Sequence, residues 1–258
     1  MFRIRIQNKK KCIWYCSAVV SFLLFLLLLG WTNHLANTQD AQQMAGRWSE
    51  KKDVAQISCF FSSKAEVTED TIQSFEYSLK NVLQEASITE TSENPSARLW
   101  VDAYSADGKI TLVNGKNTLD ANAIGIGGDF FMFHPLKLIT GSYFSGNDLM
   151  QDYCIIDQDA AWQLFGSNDV VGMTVYIGNV PHIVTGVVRR PQGRMEKAAG
   201  LTSTVVYVSY ETLEAYGTNN GINHYEIVMP NPVDEFAYSK VKEGIGIDEK
   251  NVEIVENS

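Results

Sequence analysis

The amino-acid sequence predicts an α+β protein: an N-terminal transmembrane helix, then a split β-α-β subdomain interrupted by a mainly-β insertion. Three observations carry that prediction. Ile13 to Trp31 is 19 residues without a charge. A strand–helix–strand pattern over residues 54–104 recurs over residues 224–255. Between these halves apolar residues alternate with period two, and turn signals such as Asn114-Gly115 and Gly178-Asn179 take the place of long helical stripes.

The apolar segment is centred on Val19 to Leu29, where ten Val, Phe and Leu residues favour insertion by roughly 3–6 kcal/mol. Trp14, Tyr15 and Trp31 sit at its ends, where interfacial aromatics belong. Residues 1–12 carry Arg3, Arg5, Lys9, Lys10 and Lys11 and no acid. This basic leader predicts a cytoplasmic N-terminus and an extracytoplasmic body. A cleaved signal peptide is the competing reading, with weak sites at Leu35-Ala36 or Asp40-Ala41, but the apolar stretch is long for one. Thr32 to Lys52 is polar and Gln-rich and reads as a stalk.

Val54 to Ser62 is a strand. Thr68 then caps a helix with Glu69 and Asp70 in its first turn and an apolar stripe at Ile72, Phe75, Leu79, Val82, Leu83 and Ala86. A polar link containing Pro95 leads to a strand over Leu99 to Tyr104. In the second half His224 to Met229 is a strand. Pro230-Asn231-Pro232 starts a helix bearing Val233, Phe236, Ala237 and Val241, Gly244 ends it, and Val252 to Val255 is a strand. The inserted segment, 105–222, holds short helices over 159–165 and 210–216.

Composition excludes several functions. Five of the 21 basic residues lie in the leader, so the remaining 16 face all 30 acidic residues and leave a charge of −14 on the body. Such a body argues against nucleic acid or an anionic lipid surface as a partner. The four cysteines form no framework. Cys12 and Cys16 flank the start of the membrane segment, while Cys59 and Cys154 lie in strand-like runs, where free buried thiols are expected and a Cys59–Cys154 disulfide is the alternative.

No enzyme constellation holds together. Gly108-Lys109 and Gly115-Lys116 are followed by Ile110 and Asn117, not the Ser or Thr of a phosphate loop. Gly125-Ile126-Gly127-Gly128 reads as a tight turn between strands. His34, His134, His182 and His224 are far apart in sequence, with no Cys or His partner at ligand spacing, so structural hydrogen-bonding roles are expected for His134 and His182. Asp148, Asp152, Asp157 and Asp159 lack the glycine and spacing of a calcium loop and read as a solvated rim with one helix cap, Asp157 or Asp159. Arg189, Arg190, Arg194 and Lys197 flank a loop over Pro191 to Leu201. No catalytic, cofactor-binding or metal-ligating residue is expected, no cofactor is implied, and no ligand site is assigned.

The most specific stretch is residues 141–190, GSYFSGNDLMQDYCIIDQDAAWQLFGSNDVVGMTVYIGNVPHIVTGVVRR. It orders a strand at Cys154-Ile155-Ile156, a helix with Ala160, Ala161, Leu164 and Phe165 inward, a Gly166 stop, and a hairpin opened by Gly172 and returning over Ile183 to Val188. With its lead-in Phe133 to Ser145, it resembles the extracytoplasmic domain of MacB-like ABC transporter permeases, the superfamily that also holds the FtsX and lipoprotein-release permeases. The resemblance is loose over residues 13–258 and tight over about 120–190.

The resemblance implies a porter-like subdomain in two halves, 53–104 and 223–258, with a sabre-like subdomain, 105–222, inserted between them. It also implies a permease partner in a homo- or heterodimer and a separate cytoplasmic ABC ATPase subunit, whose ATP-driven motion these domains transmit to export or envelope processes. Family permeases carry three further membrane helices after this domain, whereas residues 32–258 hold no apolar run of that length. The expectation is therefore a fragment or a stand-alone anchored version, in which only residues 1–12 could meet an ATPase. The alternative is a single-pass extracytoplasmic binding or adaptor module with no transport activity. An anchored enzyme would need a cleft with convergent titratable groups.

Overall fold

The computed structural model of the chain describes residues 9–37, 40–49, 53–89, 98–190, 193 and 203–257. Most of the expected leader, the link around Pro95, and Arg194 and Lys197 lie outside the described residues, as do the side chains of Lys9 to Cys12. Two compact units are present, Met1–Asp40 and Ala41–Ser258.

The first unit contains the helix α1, Lys9–Asn37. Its segment Ile13–Leu35 is long and apolar enough to cross a membrane, alone in this among the described residues. At about 1.5 Å per residue its 23 residues reach ~34 Å, against a hydrocarbon core of ~30 Å. Its apolar side chains are exposed all round, Leu27 at 70% and Trp14 at 78%, the surface that lipid rather than water accommodates.

The second unit is a mixed, sheet-rich α/β structure. Its elements are α2 (Met44–Trp48), β1 (Val54–Phe61), α3 (Glu69–Glu85), β2 (Val101–Asn114), β3 (Asn117–Gly128), α4 (Phe130–Phe133), β4 (Leu138–Gly141), β5 (Tyr153–Asp157) and α5 (Gln158–Phe165). Then come β6 (Thr174–Ile177), β7 (Val180–Val188), β8 (Val205–Ser209), α6 (Tyr210–Tyr216), β9 (Thr218–Asn219), β10 (His224–Pro230), α7 (Phe236–Gly244) and β11 (Val252–Glu256).

Strands follow the order β11-β1-β10-β2-β3-β8-β5-β7-β4. β6 pairs with both β7 and β2, through Leu112–Ile177 and Val113–Tyr176, so β2, β3, β8, β5, β7 and β6 close into a six-stranded ring. Leu112, Cys154, Ile156, Val175, Ile177, Val184 and Val206 from these strands are fully buried in one core. Both hairpins turn on residues at positive φ: Gly115 at 58°, and Gly178 and Asn179 at 57° and 67°.

Successive residues of β10 point to opposite sides of the sheet. Tyr225, Ile227 and Met229 join the core with Ile72, Phe75 and Leu83 of α3 and Val241 of α7. Val228, on the other side, packs with Met44, Val101, Ala103, Phe130 and Phe133. His224 and Glu226 share that second side.

The structure departs from the sequence reading at several elements. Strand β2 runs unbroken from Val101 to Asn114, ten residues past Tyr104, where the strand was expected to end. The 125–128 glycines are not a turn but the end of β3. Glycine there permits close approach: a Cβ on Gly127 would lie 2.0 Å from the Tyr104 ring, and one on Gly125 would lie 2.8 Å from Leu213. Pro230 ends β10 and α7 starts only at Phe236, leaving Val233 67% exposed rather than in the core. Ala86 caps α3 and is exposed, so the buried stripe ends at Leu83. Residues 44 and 45 of the expected stalk are buried in the sheet unit.

Candidate functional site

The main cavity, about 700 Å³, lies between α3 and β2. Helix α3 forms because Thr68 and Thr71 cap each other at its start and Glu69 and Asp70 suit the dipole. Its buried stripe faces the sheet, which leaves Glu69, Gln73 and Glu76 on the cavity side. The period-two alternation of β2 presents Asp102 and Tyr104 to the same space. Tyr225 donates its hydroxyl to Asp102 Oδ2 at 3.2 Å, and Arg98 at the rim pairs with Asp129 at 2.6 Å.

Burial, and then the charge and hydrogen bond of Asp102, push the Glu76 carboxyl up to about 8. Burial also raises Asp102, against the hydrogen bonds it accepts from Glu76 and Tyr225. Glu76 therefore holds a proton at neutral pH and donates it toward Asp102. The arrangement offers a carboxylic-acid donor and an acidic wall. Among the described residues that line it, no nucleophile stands beside a base.

The second constellation is the far side of β10. His134, at the end of α4, and His224 lie with ring centroids 5.7 Å apart. His134 Nε2 is 2.5 Å from Glu226 Oε2, and His224 Nε2 is 3.9 Å from Glu226 Oε1. Burial pushes the Glu226 carboxyl up, but His134, His224 and the Ser58 hydroxyl outweigh it and leave the group below the ordinary carboxylate range. Burial lowers His224, opposed by Glu226. Sequence spacing missed this grouping, because 90 residues separate the two histidines. The His224–Glu226 half was legible, since residues two apart on a strand share a face.

The other expected residues have structural partners. His182 is 1% exposed, with Nε2 3.1 Å from the Thr212 hydroxyl and Nδ1 3.0 Å from Val180 O. Asp157 is not on a solvated rim. It is 3% exposed, caps α5 through Ala160 N at 2.8 Å, and accepts from Arg190 at 2.9 Å and Val205 N at 3.1 Å. Arg190 also pairs with Asp159, so it is engaged within the fold. Cys59 and Cys154 are free and buried, and burial pushes both thiols up to about 12, Cys59 also through Glu226.

The described residues thus hold one helix long and apolar enough to cross a membrane and a separate sheet-rich domain. Residues 20–250 match the model of the MacB-like periplasmic core domain, and the chain belongs to that family. Its relatives include macrolide export ATP-binding/permease protein MacB of Pasteurella multocida, 31% identical over 98 residues, which are 37% of this chain and 14% of that protein. The same protein of Chromobacterium violaceum is 31% identical over 96 residues, 36% and 14% of the two chains. The matched stretch thus spans about one seventh of these relatives' length.

Among solved structures, the periplasmic region of MacB from Actinobacillus actinomycetemcomitans is 20% identical, covers 78% of this chain and 88% of its own, and has a TM-score of 0.48. The extracellular domain of the ABC-type transporter YknZ from Gram-positive bacteria is 19% identical over 78% of this chain and 99% of its own, with a TM-score of 0.46.

Proposed function

We propose that this chain is the membrane-anchored extracytoplasmic part of an ABC transporter permease, which transmits ATP-driven motion from a separate cytoplasmic ATPase to an export or envelope process. The observation that carries the reading is the span of the family match, which begins inside the apolar helix and runs through the sheet domain. A sheet domain packed on both faces can move as one body when a helix joined to it is displaced. The basic leader supports a cytoplasmic N-terminus. Residues 53–104 and 223–258 act as the porter-like subdomain and 105–222 as the sabre-like one, with β2 continuous between them so that they move together. The chain itself performs no catalysis in this reading, and it works beside a permease partner.

The test is affinity purification of the tagged chain from its own host in detergent, followed by mass spectrometry and an ATPase assay. Co-purification of a phosphate-loop ATPase with a multi-helix permease is the expected result. Recovery of neither, with an envelope component bound instead, overturns the transport reading in favour of a stand-alone adaptor module.

A further inference from the structure

Glu226 is a buried carboxylate whose two oxygens have unlike surroundings. Oε1 accepts from Ser58 Oγ at 2.9 Å and Gln56 Nε2 at 3.2 Å. Both donors are held in turn: Asn257 Nδ2 donates to Ser58 at 2.6 Å, and Gln56 bridges Met44 N and Ala41 O. Oε2, by contrast, is met by His134 Nε2 at 2.5 Å, while Nε2 of His224 is buried with no hydrogen bond. One donor atom each from His134, His224 and Glu226 lies within 4.8 Å of the others. Stacking fixes the rings, Phe60 on His224 at 4.7 Å and 13°, and Phe130 on His134 at 4.7 Å and 34°.

The three donors converge from two elements, β10 and the end of α4. A single divalent cation meets all three donors at once.

We propose that His134, His224 and Glu226 bind one divalent transition cation of the zinc class, with solvent completing the coordination. Bonds of ~2.1 Å in a tetrahedron put ligand atoms ~3.4 Å apart. The three donor atoms lie within 4.8 Å of one another, so closing the site calls for an approach of about 1 Å. Two imidazoles with one carboxylate suit zinc-type ions and not magnesium or calcium, which take oxygen ligands. Side chains 24% and 20% exposed at His134 and His224 leave room for a fourth ligand from solvent. The hydrogen bonds to Oε1 are the outer support that orients a ligating carboxylate. The bound ion ties the end of α4 to the face of β10 against which it packs.

The test uses the full chain in detergent, stripped with chelator and titrated with Zn²⁺ by calorimetry and with Co²⁺ by visible absorption. One equivalent should bind, with low-coordinate d–d bands, and Zn²⁺ but not Mg²⁺ should raise the thermal midpoint. His134→Gln should lower affinity by more than the ~100-fold that loss of an outer partner can cost, and Ser58→Ala by ~10–100-fold. His134 is partly exposed, so its variant tests the site even if Glu226→Gln does not fold. No stoichiometric Zn²⁺ binding by the wild-type chain, or undiminished binding by His134→Gln, overturns the proposal.

Discussion

Asp157 shows how one side chain can join several elements. It caps α5, receives Val205 N at the start of β8 and pairs with Arg190 beyond β7, all at 3% exposure. Asp157→Ala removes the α5 cap and leaves the Val205 N–H without its acceptor, while Arg190 keeps Asp159, so it should lose about 2–4 kcal/mol of unfolding free energy in urea titrations. A loss below ~1 kcal/mol would show that the site is solvated. Glu76 makes the opposite kind of prediction. Its native pKa is raised from 4.5 to about 8, so the native state holds the proton more tightly than the unfolded chain. The stabilising contribution is complete below about pH 4.5 and is lost as pH rises through about 8. Thermal midpoints measured from pH 5 to 9 should therefore fall, and Glu76→Gln should flatten that fall; an unchanged slope refutes the shared proton. Sequence gave Asp157 as one of two possible caps but could not reveal its burial, because Arg190 and Val205 reach it through tertiary pairing.

At the scale of elements, local chemistry was a good guide wherever it was strong. Thr68 with two acids, Asp157 with Gly166, and Gly178-Asn179 mark ends and turns through hydrogen bonding and backbone sterics alone. It misled at the 125–128 glycines, because glycine serves tight turns and close packing equally well. Only the Tyr104 ring and the helix over 210–216 decide which role applies. Gly127→Ala should cost about 1–3 kcal/mol by overpacking. Pairing it with Tyr104→Ala should recover part of that cost, and the coupling is read in a double-mutant cycle. Additive losses would mean that the ring does not press on the glycine. Pro230 misled similarly: it reads as a helix start but fits the last position of β10.

For the whole molecule, the closed ring sets the hierarchy of stability. β2 pairs along nearly its full length with β3 and is tied to β6, β9 and β10 as well, whereas β11 is bonded on one side only. Native-state hydrogen exchange should therefore be slowest in β2, β3 and β7 and faster by orders of magnitude in β11. Equal protection of β11 and β2 contradicts the ring as the last part to open. The ring closes through residues as distant as Leu112 and Ile177, so folding of the sheet domain should be slow for its size.

The sequence by itself determined the apolar helix, the α+β class, the period-two faces and most caps and turns, because each depends on neighbours a few residues apart. It also determined that His224 and Glu226 share a face. Only the tertiary structure decided that β6 returns to β2, that Glu76 meets Asp102, and that His134 arrives beside Glu226. These contacts depend on strand order and register, which arise from burial summed over the whole sheet and leave no signature at any single spacing.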